Sequence, residues 1–315
     1  MPPHINIIAR TNGVGLDQDV NLVHKALSDA GFQVTVSHSR AIPAWSHWLF
    51  PKQTFDANIF LERIFPRWFG SARLNLLIPN QERFPHRHIK RLKHIHHVLC
   101  KTRHAEALFS EHCSTRHIGF TSTDRSIKNQ NQDYNAFIHL AGRSTLKGTS
   151  TLLELWNKHP EWPQLTLVQH PDNAPIRVPK NVTLLANRVP ENELLQLLNT
   201  HGIHLCPSLS EGWGHYIAEA MSCNALVITT DAPPMNELIT SDRGILIPFS
   251  TSSPRHMGTN YHVDPTALEN AIIQLIGMPQ ETKQAFAQAG HSWFHSNNKS
   301  FNQTFPQTLN NLLSK

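Results

Sequence analysis

Short apolar runs alternate along the chain with stretches whose apolar residues return every three to four positions, which predicts buried strands separated by amphipathic helices. Ile5 to Ala9 reads as a buried strand and Arg10 to Gly15 as a glycine turn. Val20, Val23, Leu27 and Ala30 form the stripe of a helix that Asp17 caps and Gly31 stops, and Phe32 to Val36 restarts a strand. A strand, glycine loop, helix, strand unit implies a right-handed crossover and a parallel sheet. Further strands are predicted at Ala57 to Leu61, Leu74 to Ile78 and His97 to Cys100, with helix-compatible segments at His86 to Lys93 and His104 to Glu111.

Asp124 to Asp133 (DRSIKNQNQD) is polar, with almost no apolar anchor, and reads as a linker. A second series then begins. Strands are predicted at Ala136 to Leu140, Leu165 to Gln169, Val182 to Leu184, Ile203 to Cys206, Ala225 to Thr229 and Gly244 to Ile247. Helices are predicted from Thr151 and over Glu191 to Asn199 and Tyr216 to Met221. The expected organisation is a first domain over 1–125, a linker over 126–134, a second domain over 135–281, and C-terminal helices over 282–315 that can cross back to the first. The predicted fold class is α/β, two Rossmann-like domains with parallel sheets facing across a cleft. Ligands of such sheets bind at the carboxyl ends of the strands.

Composition narrows the function classes. With 39% hydrophobic and 16% charged residues, the 315-residue chain is globular rather than disordered. No apolar run approaches the roughly 18 residues of a membrane span, and the first ten residues lack the layout of a secretory signal. The four cysteines show no C-x-x-C spacing, so neither a disulfide framework nor a zinc site is encoded, and a reducing cytoplasm is expected. The 22 histidines fall in no recognised ligand frame, and no metal site is expected. Charge is uneven: residues 1–125 hold 16 Lys/Arg against 9 Asp/Glu, whereas residues 126–315 hold 12 against 14. The excess peaks between Arg83 and Lys93, among His86, His88, His94, His96 and His97. That stretch reads either as a solvated basic helix face or as a surface for an anionic acceptor.

The most informative segment is Pro207 to Glu237 (PSLSEGWGHYIAEAMSCNALVITTDAPPMNE). Glu211 precedes Gly212, Trp213 and Gly214, and Glu219 follows on a predicted helix. If the helix starts near Gly214, its amides and positive end favour a phosphate in the loop, with His215 facing the same ligand. Glu211 would reach sugar hydroxyls and Glu219 a ribose diol. Two carboxylates bracketing a phosphate-binding helix start suit a nucleotide sugar.

This segment resembles the retaining GT-B glycosyltransferases of the glycogen-synthase-like superfamily, whose Glu-x7-Glu signature is embedded as P-S-x-x-E-G-F-G-x-x-x-x-E-A-M. Pro207, Ser208, Glu211, Gly212, Gly214, Glu219, Ala220 and Met221 match it, with Trp213 in the aromatic position. In Ala141 to Gly148 (AGRSTLKG) the resemblance implies that Arg143 and Lys147 hold the donor diphosphate, as charge-assisted hydrogen bonds from a guanidinium and an ammonium can. In NRVPENEL, it implies that backbone groups around Val189 read the base. The loop from Gly13 to Gly15 is similar to one that approaches donor and acceptor. Asn80 and Glu82, at the end of a first-domain strand, are candidates for positioning sugar or acceptor, or else cap the next turn. Asp17-Gln18-Asp19 matches the metal signature of the other glycosyltransferase fold, GT-A, but its place at a helix start reads as a cap.

The resemblance implies a hexosyltransferase moving a sugar from a nucleoside-diphosphate sugar to an acceptor hydroxyl, with retention and without a metal or other cofactor. Lys147 and Glu211 are the expected catalytic residues. The acceptor, or the surface presenting it, is expected to be anionic: a glycan, the inner membrane surface or a nucleic acid. A GT-B nucleotide-sugar epimerase and a catalytically silent nucleotide-sugar or glycan-binding protein stand as alternatives.

Overall fold

The computed structural model describes residues 1–10, 15–41 and 53–314, and the chain divides into two compact units. Unit 1 comprises Met1–Thr123, Arg255–Gly258 and Asn297–Lys315; unit 2 comprises Asp124–Pro254 and Thr259–Ser296. Gly13 lies outside the described residues.

In unit 1, the described strands β1 (His4–Ala9), β2 (Gln33–His38), β3 (Phe55–Glu62), β4 (Ala72–Pro79), β5 (His97–Cys100) and β6 (Thr115–His117) form a parallel sheet. Its order is β2-β1-β3-β4-β5-β6, so the chain reverses direction across the sheet between β1 and β3. The strands read as continuous apolar runs because they are covered on both faces, as in other parallel sheets. Beneath one face Phe60, Phe84 and Phe109 are fully buried. Helix α1 (Gly15–Asp29) buries Val20, Val23 and Leu27, as their spacing predicts. It starts at Gly15, so Asp17 sits inside the first turn rather than capping it. Asp19 is not a capping residue either: it is buried and its Oδ2 accepts from Lys101 Nζ at 2.7 Å. Helix α2 (Arg103–Ser110) is capped by Thr102, whose hydroxyl accepts from the Ala105 amide.

One helix-compatible segment folds differently. His86–His94 forms 3-10 turns in which only His88 and Leu92 are buried. That stripe is too narrow to dock an amphipathic α-helix, and the Arg and Lys side chains take the solvent side.

Unit 2 holds β7 (Asp133–Gly142), α3 (Thr149–Lys158), β8 (Leu165–Gln169), β9 (Val182–Leu185), α4 (Glu191–Thr200), β10 (His201–Cys206), α5 (His215–Ser222), β11 (Leu226–Thr230), α6 (Met235–Leu238) and β12 (Ile245–Ile247). Its described strands form a second parallel sheet, ordered β12-β11-β10-β7-β8-β9. This is the doubly wound order, with its switch point between β7 and β10. Trp156 anchors the core, edge-on to Phe137 and Trp162. The polar stretch before β7 is tied down within unit 2: the Arg125 amide donates to Ser222 Oγ at 2.9 Å and the Ile127 amide to Asn199 Oδ1 at 2.8 Å.

Strands β13 (Phe249–Arg255) and β14 (Gly258–Val263) pair as a ribbon that the apolar pattern does not reveal, since β13 is largely solvent-exposed. Helices α7 (Pro265–Gly277) and α8 (Gln280–Leu313) complete the chain. The last turns of α8 belong to unit 1, where Phe301 packs against Phe120 at 5.1 Å between ring centroids and Asn297 Nδ2 donates to the Phe120 carbonyl at 2.7 Å.

Candidate functional site

The two loops that leave the carboxyl ends of β7 and β10 flank the switch point of unit 2 and carry the residues singled out by sequence. They are joined by backbone: the Leu209 amide donates to the Leu146 carbonyl at 2.8 Å. Across that junction Lys147 Nζ donates to Glu211 Oε1 at 2.6 Å, with both side chains largely buried. The same carboxylate oxygen accepts from Ser208 Oγ at 2.5 Å, and Ser208 Oγ also bonds the Tyr216 hydroxyl at 2.5 Å. Lys147 Nζ stands 3.5 Å from the Tyr216 ring centroid. Burial holds the Tyr216 phenol well above its ordinary pKa, so it stays neutral beside the ammonium. Glu211 is thus aimed by two donors, and Lys147 is held by one carboxylate and one aromatic face.

Gly148 makes this approach possible. It caps α3 in the left-handed region at φ 74°, and a Cβ there would come within 2.3 Å of the Pro207 carbonyl oxygen. Below the loops, His139 Nδ1 donates to the Leu205 carbonyl at 2.7 Å, which leaves Nε2 to accept from the Thr149 hydroxyl at 2.9 Å. One buried ring therefore ties β7, β10 and the start of α3 together. Burial, with the Lys147 charge acting in the same direction, lowers its pKa to about 4, so it is neutral and keeps this tautomer.

Helix α5 begins at His215 with Gly214 as its left-handed N-cap at φ 109°. Its positive end therefore meets the Glu211 loop, an arrangement suited to an anion. Gly212 and Trp213 are buried, and Trp213 is 5% exposed. Glu219, on the second turn, is 7% exposed with Oε1 3.7 Å from Arg125 Nε, and Arg125 also pairs with Glu191.

The structure does not bring every candidate to one place. Arg143 is exposed and its guanidinium bonds His170 Nε2 at 2.9 Å, with Asp172 at 3.9 Å, over the loop after β8. Its contacts are thus separate from those of Lys147. Val189 lies half-buried between β9 and α4 and packs against the cluster of Ile138, Val168 and Leu198. In unit 1, Asn80 Oδ1 accepts from Lys101 Nζ at 2.9 Å, beside the Asp19 pair. Glu82 is buried next to Arg83, its Oε1 3.6 Å from Arg83 Nε. Among the described residues, no group of three or more His, Cys, Asp or Glu side chains is placed to hold a metal ion, and no helix is long and apolar enough to cross a membrane.

Sequence reasoning missed Arg125, Tyr216, His139 and Lys101. Arg125 was hidden in the polar stretch, and Tyr216, His139 and Lys101 carry no spacing signal. Gly148, by contrast, sits in the Lys-Gly pair that was in view.

Residues 176–293 match the family model described as glycosyl transferases group 1. A search of curated proteins finds no match. Among solved structures, the chain is similar to a sucrose-phosphate synthase from Thermosynechococcus elongatus, with 16% identity over 99% of both chains and a TM-score of 0.74. A glycosyltransferase from Rickettsia africae gives 12% identity over 99% of both chains and a TM-score of 0.69. HepE of Anabaena, solved in complex with UDP and glucose, gives 14% identity over 98% of this chain and 100% of its own, with a TM-score of 0.67. The chain has the GT-B fold, and the segment carrying Glu211 to Glu219 lies inside the stretch that matches the glycosyl transferases group 1 model.

Proposed function

We propose that the chain is a glycosyltransferase that moves a hexose from a nucleoside-diphosphate sugar to an acceptor hydroxyl, with retention and without a metal. The observation that carries this reading is the Lys147–Glu211 pair, 2.6 Å apart at the switch point of unit 2 and facing the start of α5. A diphosphate entering there meets the Lys147 ammonium and the α5 amides, while the sugar hydroxyls donate to Glu211. Arg143, whose guanidinium bonds His170 Nε2, would have to leave that contact to join them. Glu219, with Arg125 beside it, would take the ribose, and the backbone at Val189 the base.

In the reaction so envisaged, the bond from the anomeric carbon to the diphosphate oxygen breaks. The acceptor oxygen bonds to that carbon on the same face, and the departing phosphate oxygen takes the acceptor proton. The protein's share is orientation and stabilisation of charge on the leaving diphosphate. No side-chain nucleophile is needed. Cationic side chains and helix amides stand where other enzymes use a metal. The unpaired cysteines Cys100, Cys113, Cys206 and Cys223 support action in a reducing cytoplasm.

Thermal stabilisation by a panel of nucleoside diphosphates and their sugars tests the reading, with UDP and UDP-glucose first because HepE is seen with them. A ligand at 100 times its dissociation constant adds about 2.7 kcal/mol. Stabilisation by one base, followed by sugar transfer that persists in EDTA, is the expected result. Indifference to every nucleotide removes the reading, and activity lost in EDTA and restored by manganese removes its metal-free part.

A further inference from the structure

A polar cavity lies within unit 1, at the reversal point of its sheet. It encloses about 290 Å³ and is lined by Arg10, just past β1, by Glu62 and Arg63 at the end of β3, and by Arg83, over an apolar floor that includes Leu61 and Phe65. Strand order reverses between β1 and β3, and open α/β sheets bind ligands at the carboxyl ends of the strands at such a point.

The lining is charged out of proportion to its size. Three arginines and one glutamate line it, a formal net charge of +2. Glu62 offsets Arg63 alone, and Glu82, outside the lining, lies 3.6 Å from Arg83 Nε. Glu62 is 8% exposed and pairs with Arg63, Oε1 lying 2.9 Å from Nε, while Arg63 Nε is buried without a hydrogen bond. Glu62 is itself held at φ 64°, a conformation rare for a side-chain-bearing residue.

More cations gather from another part of the chain. Arg255–Gly258, between β13 and β14, belongs to unit 1: Met257 enters the core cluster of Phe60 and Phe84, and Gly258 lies so close to the Gln81–Arg83 turn that a Cβ would stand 3.2 Å from the Glu82 amide. His256 is thereby set among Arg255, Arg63, His86 and Arg83, whose charges add to burial in lowering its pKa. Arg255 Nε is buried without a hydrogen-bond partner.

We infer that this cavity binds a phosphate monoester, held by Arg10, Arg63 and Arg83, and that the monoester is a substituent of the acceptor. The second clause rests on the glycosyltransferase reading; the first does not. A dianion matches the net charge of the lining, and its three terminal oxygens can take several forked guanidinium contacts at once, which a single carboxylate cannot. An apolar floor beside the cations suits the carbon skeleton that carries the phosphate. The donor diphosphate is assigned to unit 2, so it leaves these cations unexplained.

Titration with inorganic phosphate, followed by calorimetry at constant ionic strength, tests the site. Saturable binding that survives Lys147→Ala is expected, weaker by at least tenfold in Arg83→Gln and Arg10→Gln, both exposed positions, and unchanged in the exposed Arg116→Gln. Glu62→Gln should bind phosphate more tightly, since it removes the one anion of the lining; a merely structural Glu62 predicts no gain. Glucose 6-phosphate competing with phosphate points to a soluble acceptor, and phosphatidate vesicles competing in its place point to a lipid one. Absence of saturable binding, loss in Lys147→Ala alone, or equal loss in Arg116→Gln overturns the inference. UDP affinity is measured on the same variants. Failure of UDP to bind while phosphate binding persists defeats the glycosyltransferase reading and leaves the cavity assignment standing.

Discussion

Lys147 and Glu211 are 64 positions apart in sequence, yet Nζ and Oε1 meet at 2.6 Å because β7 and β10 are neighbours in the sheet and their loops share a backbone hydrogen bond. Truncating either residue to alanine should therefore lower sugar transfer by about 100-fold to 1000-fold, the usual cost of losing one preorganised contact to developing charge. Each single variant also strands a partly buried partner and should lose stability, whereas the Lys147→Met, Glu211→Gln double variant recovers part of it. Steady-state kinetics beside denaturant midpoints check both. Near-normal turnover in either single variant removes these residues from the chemistry.

Gly148 is a second point of control, acting through the backbone. A Gly148→Ala change forces a left-handed residue, costing about 1–2 kcal/mol, and adds a Cβ 2.3 Å from the Pro207 oxygen. The clash cannot be relieved by a rotamer, so the β7 loop must move away from the β10 loop. Nucleotide affinity should fall more than tenfold, together with a lower melting temperature. Unchanged affinity would mean that the two loops need not be in register for binding.

Much of the fold and part of the site were legible in sequence, for reasons that can be named. Strands such as Ile5 to Ala9 and Leu165 to Gln169 are buried on both faces and so appear as unbroken apolar runs. Lys147, Glu211 and the glycines between Glu211 and His215 sit in short segments where loop chemistry is local. Pairings across distant strands leave no such trace. Lys101 reaches Asp19 over 82 positions and Asn80 over 21, and Arg125 reaches Glu219 from a stretch with almost no apolar anchor. The β13–β14 ribbon was equally hidden, because exposed paired strands need no apolar alternation.

The Lys101–Asp19 pair gives a stability prediction for unit 1. The two side chains are 2% and 4% exposed, and Lys101 Nζ also lies 4.3 Å from the Phe120 ring centroid. Lys101→Met leaves a buried carboxylate without its cation and should cost about 3–5 kcal/mol. Adding Asp19→Leu should restore most of that, since a buried ion pair often contributes little beyond an apolar pair of similar volume. Urea unfolding of the two variants decides it; equal destabilisation would show that the network fixes more than its own charges.

Two buried rings in unit 2 contribute to the pH dependence of stability, alongside His88 in unit 1, which burial also lowers to about 4. His139 and His204 are both buried and held at about 4, against 6.5 for an ordinary imidazole, with burial the main cause in each. Between these values the unfolded chain binds a proton at each ring that the folded chain refuses. Stability is accordingly full above pH 6.5 and is lost as pH falls towards 4. In the middle of that window each ring contributes a slope approaching about 1.4 kcal/mol per pH unit. Measuring urea midpoints between pH 5 and 6.5 keeps most carboxylates ionised and isolates the histidines. His139→Gln retains an amide that can donate to the Leu205 carbonyl but does not titrate, so the slope should flatten by about one proton. A slope unchanged by this substitution would mean that the ring is protonated in the folded state as readily as in the unfolded one, and the tautomer that joins Leu205 to Thr149 would no longer be fixed.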